Sequence, residues 1–271
     1  YKSDGKTLLD AVEAHPDQYF LVYTNGTLID ETVAKRMAEL GNITPAISVE
    51  GYEKETDERR GEGTYKRIMQ AFDNLKKYGV PYGVSITALK NNADMLDQEL
   101  FDHYVKKLGA YYIWIFQYMP IGRKQSLDLL VQPEQRLRMY RDTRAAVENE
   151  RMFIADFWNS GGVSCGCVSA GKEGGYLYID WNGNVTPCVF NPYSPANINE
   201  LYAEGKTLSD VLDEPFFDAI KEWQDEYGLE NNSEDTGNWI RPCPIKDHYR
   251  FMYDQIEKYN PKPIDASAEV A

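Results

Sequence analysis

The residues with the clearest chemical potential in this sequence are its cysteines. There are four in 271 residues, and all of them follow residue 158: Cys165, Cys167, Cys188 and Cys243. Cysteines that served only as small core residues would be scattered over the buried strands, so this segregation indicates a shared role. Four thiolates can bind one metal centre, either a structural zinc ion or an iron–sulfur cluster. Two disulfides or four unrelated thiols are the alternatives.

The spacing of the cysteines leaves the type of metal centre open. Structural zinc usually draws on cysteine pairs with two to four residues between them. Here Cys165 and Cys167 enclose a single residue, and Cys188 and Cys243 stand alone. From spacing alone, both zinc and iron–sulfur remain possible.

Cys188 ends the segment YLYIDWNGNVTPC, residues 176–188, which has the pattern of a strand, a tight turn and a second strand. Asn182 and Gly183 would supply the positive φ angles of a type I′ turn. The second strand would then deliver the thiol of Cys188 toward the other cysteines.

Composition narrows the classes of function. The formal net charge of -14 argues against a generic nucleic-acid binder and against docking on an anionic membrane. No stretch approaches the roughly 18 apolar residues of a membrane helix, and the first residues lack the apolar segment of a signal peptide. We therefore expect a cytoplasmic protein, and a reducing compartment disfavours the disulfide alternative.

Strand and helix patterns alternate through the first 158 residues, which predicts an α/β fold with a parallel sheet and right-handed crossovers. Each unit takes about 35 residues, so the segment holds four and a half units of a partial (β/α) TIM-like barrel or an open sheet. The strands are apolar on both faces, as in a sheet covered by helices. The predicted strands are 19–26, 44–51, 80–88, 111–118 and 151–158, and the predicted helices are 30–41, 64–79, 97–109 and 133–150.

The alternation stops near residue 158. A Gly/Ser-rich segment, the hairpin and helices over 215–228 and 245–259 follow. We therefore predict a barrel-like domain at 1–158, a small α+β domain at 159–260 and a flexible tail at 261–271.

Polar residues stand where the predicted parallel strands end. Ligands of such sheets bind beyond the carboxyl ends of the strands, so these residues are candidates for a binding site. The alternative for each is a local hydrogen bond to the backbone. The candidates are Thr24, Asn25, Ser48, Glu50, Ser85, Thr87 and Gln117.

The cysteine region resembles the SPASM and twitch domains of radical S-adenosylmethionine (SAM) enzymes. Fifteen residues separate Cys167 from Gly183 and four separate Gly183 from Cys188, similar to the opening Cys-x(9–15)-Gly-x4-Cys of that family. RPCPIKDH, residues 241–248, is similar to the segment with the later cysteine. The further Cys-x2-Cys run of a full SPASM domain is absent, which favours the one-cluster twitch type. The resemblance implies an auxiliary 4Fe-4S cluster on Cys167, Cys188 and Cys243, with Cys165, a substrate or another side chain in the fourth place.

The first domain is similar to the barrel of the same family. YTNGTLID, AISVEG, PYGVSITA and YIWIFQYMPIGR resemble its third to sixth strands with their loops. The resemblance implies that the strand ends face SAM, with Ser48 and Glu50 near its ribose and Ser85 and Thr87 close by. Thr24, Asn25 and Gln117 are the other implied SAM contacts, and Arg123 is a candidate for the SAM carboxylate or a substrate acid.

The sequence lacks the Cys-x3-Cys-x2-Cys loop that binds the reducing 4Fe-4S cluster in this family, and the family's Gly-Gly-Glu-Pro segment. Either an N-terminal part belongs to the protein and is not in this sequence, or the chain is a genuine truncation. In the second case we expect no SAM cleavage, and an exposed third strand at the sheet edge.

For the complete protein, the resemblance implies cleavage of SAM to methionine and a 5′-deoxyadenosyl radical, which abstracts hydrogen from a substrate. It implies SAM and two 4Fe-4S clusters as cofactors, a peptide or protein among the candidate substrates, and an electron donor such as flavodoxin or ferredoxin. Two alternatives stay open. One is a non-catalytic binding module stabilised by zinc or a cluster, and the other is an α/β-barrel enzyme acting on a phosphorylated metabolite. The second would need a Gly-rich phosphate loop, which is not evident.

Overall fold

The structure is a computed structural model that describes residues 2–3, 5–122, 125–160, 164, 166–230 and 242–264. The chain divides into two compact units. Unit 1 contains Tyr1–Tyr118 and Val131–Phe157, and unit 2 contains Met119–Leu130 and Trp158–Ala271.

Unit 1 has the predicted alternation of strands and helices, with two further helices, α1 and α3, that the sequence did not predict. Asp30 caps α2 by accepting a hydrogen bond from the backbone of Val33, and Gly41 ends that helix at a positive φ of 72°. A π-helical turn, His103–Lys107, continues α5. In chain order the elements are β1 (Lys2–Ser3), β2 (Lys6–Thr7), α1 (Leu8–Ala14), β3 (Phe20–Thr24), α2 (Glu31–Leu40), β4 (Ile43–Val49), α3 (Glu53–Arg60), α4 (Thr64–Tyr78), β5 (Gly83–Ala88), α5 (Gln98–Asp102), β6 (Ile113–Gln117), α6 (Pro133–Glu150) and β7 (Ile154–Asp156).

The central feature of unit 1 is a five-stranded sheet in the order β3-β4-β5-β6-β7. Every neighbouring pair is parallel, so each strand lies beside the next strand in sequence. The α/β class and the sequential parallel sheet are thus confirmed. This order brings the carboxyl ends of all five strands to one edge of the sheet.

The two faces of this sheet differ, because side chains alternate along each strand. One face contributes the fully buried Ile47, Val84 and Ile113 to a core shared with the helices. On the other face, small and polar residues of β4 and β5 lie between aromatic residues of β3 and β6. We call this second face the inner face; it consists of Tyr23, Ala46, Ser48, Gly83, Ser85, Thr87, Trp114 and Phe116. The strands were predicted to be apolar on both faces, whereas the inner face combines hydroxyl groups with aromatic rings.

Unit 2 is built from short strands and helices around its own core, which includes Val185, Phe216, Phe217 and Ile220. Strands β11, β9 and β8 form an antiparallel sheet in that order, and β10 pairs with β12. The elements are β8 (Tyr178–Ile179), β9 (Asn184–Thr186), β10 (Tyr193–Ser194), β11 (Ala196–Asn197), α7 (Ile198–Ala203), α8 (Ser209–Leu212), α9 (Pro215–Gln224), α10 (Tyr249–Tyr259) and β12 (Lys262–Pro263).

The hairpin β8–β9 is present, but its turn is not of type I′. Only Gly183 has a positive φ there, at 85°, whereas a type I′ turn needs positive φ at two successive residues. The Asp180 carboxylate accepts hydrogen bonds from the backbone nitrogens of Asn182 and Asn184, at 2.8 and 2.9 Å. This side chain fixes a wider turn than the Asn-Gly pair alone suggested.

Residues 261–264 belong to the segment predicted as a flexible tail, yet β12 pairs there with β10 in an antiparallel register. The remainder of that segment, 265–271, lies outside the described residues. Among the described residues, no helix has the length and apolar character needed to cross a membrane.

Candidate functional site

Three of the four cysteines come together in unit 2. Burial, reinforced by the neighbouring sulfurs of Cys243 and Cys167, raises the pKa of the Cys188 thiol far above its usual range. Burial and then the charge of Cys167 raise the pKa of Cys243 to about 11. These mutual effects require the three sulfurs to be close neighbours. Cys165, the fourth predicted ligand, lies outside the described residues.

Backbone pairing produces this convergence. The nitrogen of Ala170, three residues after Cys167, donates to the carbonyl of Pro187, just before Cys188, at 2.9 Å. The nitrogen of Tyr176 donates to the carbonyl of Val168 at 2.9 Å, which folds the intervening loop back on itself. The hairpin thus delivers Cys188 beside the segment of Cys167.

The sulfurs of Cys167 and Cys243 each have a hydrogen-bonding neighbour. Cys167 Sγ donates to the hydroxyl oxygen of Ser169 at 3.2 Å, and the backbone nitrogen of Lys246 donates to Cys243 Sγ at 3.4 Å. Burial, and then the charges of Cys188, Cys167 and Cys243, raise the pKa of Tyr176 far above its usual range. The backbone donor at Cys243 would suit a thiolate at that position.

A single metal ion and a cluster need different spacings of their thiolates. A zinc ion holds its sulfurs at 2.3 Å in a tetrahedron, so they would lie about 3.8 Å apart. An iron–sulfur cluster uses a different iron for each thiolate and needs wider spacing. Within the parts of the chain that the structure describes, no three His, Cys, Asp or Glu side chains form a group that could hold one metal ion. Cys165 lies outside those parts, so the type of centre stays a prediction.

Three of the seven SAM candidates lie on the inner face of unit 1. Ser48 on β4 is directly opposite Ser85 on β5, and Ser85 is opposite Trp114 on β6. Thr87 is opposite Phe116, one step closer to the carboxyl end. All of these are partly exposed, so the row presents hydroxyl groups next to aromatic rings.

The other strand-end candidates make local or buried contacts. Thr24 Oγ1 accepts a hydrogen bond from the nitrogen of Gly26 at 3.1 Å, and Asn25 Oδ1 accepts one from the nitrogen of Thr27 at 3.1 Å. Gln117 is buried, and its Nε2 lies 3.4 Å from Oδ1 of Asp156. By register, Thr24 and Gln117 project from the face opposite the inner face. Their role in SAM binding stays a prediction.

Glu50 has a structural environment that the sequence did not reveal. Its side chain is only 2% exposed, and its carboxylate is paired with the guanidinium groups of Arg59 and Arg60 on α3. Nε of Arg60 donates to Oε1 of Glu50 at 2.8 Å, and Arg59 donates to the other oxygen. The carboxylate therefore holds the carboxyl end of α3 against the end of β4. Arg123, the other charged candidate, lies outside the described residues.

Aromatic rings meet across the inner face. The ring centroids of Tyr23 and Phe116 are 5.6 Å apart and those of Tyr23 and Trp114 are 6.4 Å apart, although two strands separate β3 from β6. The rings lean toward each other over the small residues Ala46 and Gly83. Below them, the hydroxyl of Tyr112 shares a 2.9 Å hydrogen bond with Thr44.

Gly83 makes this arrangement possible. A Cβ at Gly83 would lie 2.2 Å from ring atoms of Tyr112. We expect Gly83→Ala to lower the free energy of unfolding by about 2 kcal/mol. The added methyl group displaces the Tyr112 ring, which then loses its hydrogen bond to Thr44. In a Tyr112→Ala background the same substitution should cost little. Urea denaturation of the unaltered chain, the two single variants and the double variant measures the coupling energy between positions 83 and 112. Additive effects of the two substitutions would contradict the prediction.

Residues 1–101 match the model of the Radical SAM superfamily. The chain is therefore similar to the radical SAM superfamily over its first 101 residues. Over 202 residues it is 23% identical to the AdoMet-dependent heme synthase of Methanosarcina barkeri, and the match covers 65% of this chain and 56% of that protein. Over 235 residues it is 26% identical to the sporulation killing factor maturation protein SkfB of Bacillus subtilis, covering 74% of this chain and 53% of SkfB.

Among solved structures, native anSMEcpe with bound AdoMet and Cp18Cys peptide resembles this chain with a TM-score of 0.57 and 16% identity. The match covers 89% of this chain and 76% of that one, and it shows a shared fold. The chain spans about half the length of the curated relatives named here.

Three residues that shape these sites were not predicted from the sequence. They are Tyr112, which lies over Gly83, and Arg59 and Arg60, which pair with Glu50. The pairing of Glu50 had a possible signal, since the two arginines follow it by only nine and ten residues.

Proposed function

We propose that this chain provides the SAM-binding sheet and an auxiliary 4Fe-4S site of a radical SAM enzyme that modifies a peptide. The observation that carries the proposal is the convergence of Cys167, Cys188 and Cys243 in unit 2. Cys165 is the proposed fourth ligand. SAM and a reducing 4Fe-4S cluster, when bound, would supply the radical chemistry for hydrogen abstraction.

The auxiliary cluster is preferred over zinc for two reasons. The described side chains do not gather at the short spacing of a single-ion site. The backbone nitrogen of Lys246 also donates to Cys243 Sγ, and donors to ligand sulfurs are a main means by which proteins set the potential of a cluster. A zinc-stabilised binding module is the outcome that metal analysis would distinguish.

For SAM, the support comes from the inner face of unit 1. The hydroxyls of Ser48 and Ser85 can bond to the ribose, and the rings of Trp114 and Phe116 offer stacking surfaces for a flat base. Glu50 is proposed to act near the ribose through its backbone position, because its carboxylate is already shared by two arginines.

A peptide is the proposed substrate class. The solved anSMEcpe structure contains a bound peptide together with AdoMet, and SkfB is named as a maturation protein. A reduced flavodoxin or ferredoxin is the proposed electron donor, and the cytoplasm the proposed location.

A tetrapyrrole is the second candidate substrate. The heme synthase relative favours it, and the aromatic residues Tyr23, Trp114 and Phe116 would suit a planar macrocycle. Titration of the chain with hemin tests this candidate. A saturable shift of the hemin absorption that is lost in Trp114→Ala would favour a tetrapyrrole over a peptide as the substrate. With peptide as substrate, we expect no such shift, and random phage-displayed peptides should be enriched on the chain but not on its Trp114→Ala variant.

Anaerobic reconstitution of the 271-residue chain with iron and sulfide tests the metal site. We expect about four irons and four sulfides to be retained per chain after desalting. Retention of zinc without sulfide would replace the cluster by a structural zinc site. No retained metal would overturn the auxiliary site altogether.

Calorimetric titration with SAM tests the sheet. We expect saturable binding that weakens at least several-fold in Ser85→Val, since the hydroxyl is lost and a methyl group enters its place. Thr207→Val, a similar change in unit 2, should leave SAM binding unchanged. Absence of SAM binding would overturn the assignment of the inner face.

A further inference from the structure

Asn92 follows β5 and is only 4% exposed, and its side chain bridges the carboxyl ends of two neighbouring strands. Nδ2 of Asn92 donates to the carbonyl oxygens of Glu50 and Thr87, each at 3.0 Å. Resting on the proposed SAM site of the inner face, we propose that Asn92 is a positioning residue for SAM. It fixes the ends of β4 and β5 at the spacing at which their residues bind this cofactor.

The register of the sheet explains why a side chain is needed at this point. The last pair of the β4–β5 ladder is Val49 opposite Ile86, so Glu50 and Thr87 would form the next pair. The ladder ends before them, and one carboxamide bonds to both of their carbonyl oxygens. An NH2 group has two hydrogens, one for each oxygen. Asn92 therefore continues the sheet by one step where the backbones of β4 and β5 no longer pair.

The carboxamide of Asn92 is itself fixed by its own loop. Its Oδ1 accepts a hydrogen bond from the backbone nitrogen of Leu89 at 2.7 Å, and the backbone nitrogen of Asn92 donates to the Leu89 carbonyl at 3.1 Å. Helix α6 holds the same loop, since Nη2 of Arg138 donates to the Ala93 carbonyl at 2.9 Å. Loss of the NH2 group alone would therefore leave the loop attached to α6 and would free the two strand ends.

The strand ends that Asn92 joins carry the proposed SAM contacts. Ser48 lies on β4 two residues before Glu50, and Ser85 lies on β5 two residues before Thr87, opposite Ser48. The proposed function also assigns Glu50 a role through its backbone, which Asn92 holds directly. A buried carbonyl oxygen without a donor is unfavourable, so the strand ends would separate to admit water if the bridge were lost. Groups that bind one ligand from both strands would then no longer be correctly spaced.

Asn92→Asp tests the proposal in the whole chain, with SAM affinity measured by calorimetric titration. The substitution keeps the shape of the side chain and an acceptor for the Leu89 nitrogen, but the carboxylate has no donor for the two carbonyl oxygens. We expect SAM affinity to fall at least several-fold. The free energy of unfolding, measured on the same variant, separates this role from a purely structural one, in which stability falls and SAM affinity does not. Unchanged SAM affinity would overturn the proposal.

Asn74→Asp is the matched control in the same unit. Asn74 is 6% exposed, and its Nδ2 donates to the carbonyl oxygen of Ile29 at 2.9 Å, so the same change removes another buried donor. This variant should also be less stable than the unaltered chain, while its SAM affinity should stay unchanged. An equal loss of SAM affinity at both positions would indicate general destabilisation and would overturn the positioning role of Asn92.

Asn92→Ala keeps the test decisive if Asn92→Asp fails to fold. It removes the NH2 donor without introducing a charge, so SAM affinity should again fall at least several-fold, with Asn74→Ala as the control that keeps it. If the unaltered chain binds no SAM, the proposed SAM site itself has failed. If the unaltered chain binds SAM and substitution of Asn92 does not weaken binding, only the role of Asn92 is refuted.

Discussion

Replacing Cys188 with alanine is expected to remove most of the iron that the reconstituted chain retains. Cys188 is the most buried of the three described thiols, and it lies between the segments of Cys167 and Cys243. At metal sites, loss of a hydrogen bond to a ligand already lowers metal affinity by about tenfold or more. Loss of the ligand itself should lower cluster retention by at least as much. Iron and sulfide content after desalting, with the visible absorption of the cluster, measures the loss.

Val189→Ala is the matched control for this experiment. Val189 adjoins Cys188 but is 43% exposed, so its truncation disturbs the same loop without touching a sulfur. It should keep its full iron content. If Cys188→Ala also kept full iron, the ligand assignment would be wrong. The parallel variant Cys165→Ala decides whether the fourth thiol, outside the described residues, is a ligand.

Replacing Glu50 with glutamine is expected to destabilise unit 1 by about 3 kcal/mol. Breaking a buried ion pair from one side leaves the other charge without compensation. The carboxylate is 2% exposed and the Arg60 side chain 24% exposed, so water can screen the remaining guanidinium only in part. The free energy of unfolding from urea denaturation measures the effect.

Glu31→Gln offers the same chemical change on an exposed ion pair. Glu31 lies 2.7 Å from Lys77, with both side chains more than half exposed, so its loss should cost no more than about 1 kcal/mol. The comparison separates two roles for Glu50. A direct SAM ligand would lose SAM affinity at unchanged stability, and that result would contradict the structural role given to Glu50 here.

The order of the sheet and the gathering of the cysteines follow from local sequence signals. Apolar strands that alternate with amphipathic helices favour a parallel sheet in which each strand pairs with the next one in sequence. Strands β3 to β7 have this order. The segment that ends in Cys188 carries its own turn residues, so the delivery of this thiol depends on neighbours in sequence.

The side-chain contacts of the sites could not be predicted in the same way. Thr24 and Ser48 both stand at strand ends, but the register places them on opposite faces of the sheet. The face to which a residue belongs depends on the register of its strand, and the sequence predicts strand bounds only to within a few residues. The pairing of Glu50 with Arg59 and Arg60 depends on how α3 returns to the end of β4, and the helix pattern of α3 is weak because it has almost no apolar residues.

The packing of the Tyr112 ring on Gly83 has a consequence for how ligands would reach the inner face. The ring of Tyr112 lies over β5, and its hydroxyl bonds to Thr44 of β4. This side chain therefore covers the amino-terminal part of the inner face. A molecule bound there reaches it from the carboxyl ends of the strands, and it departs by the same route. If SAM and a substrate share this face as proposed, the deeper one would bind first and leave last.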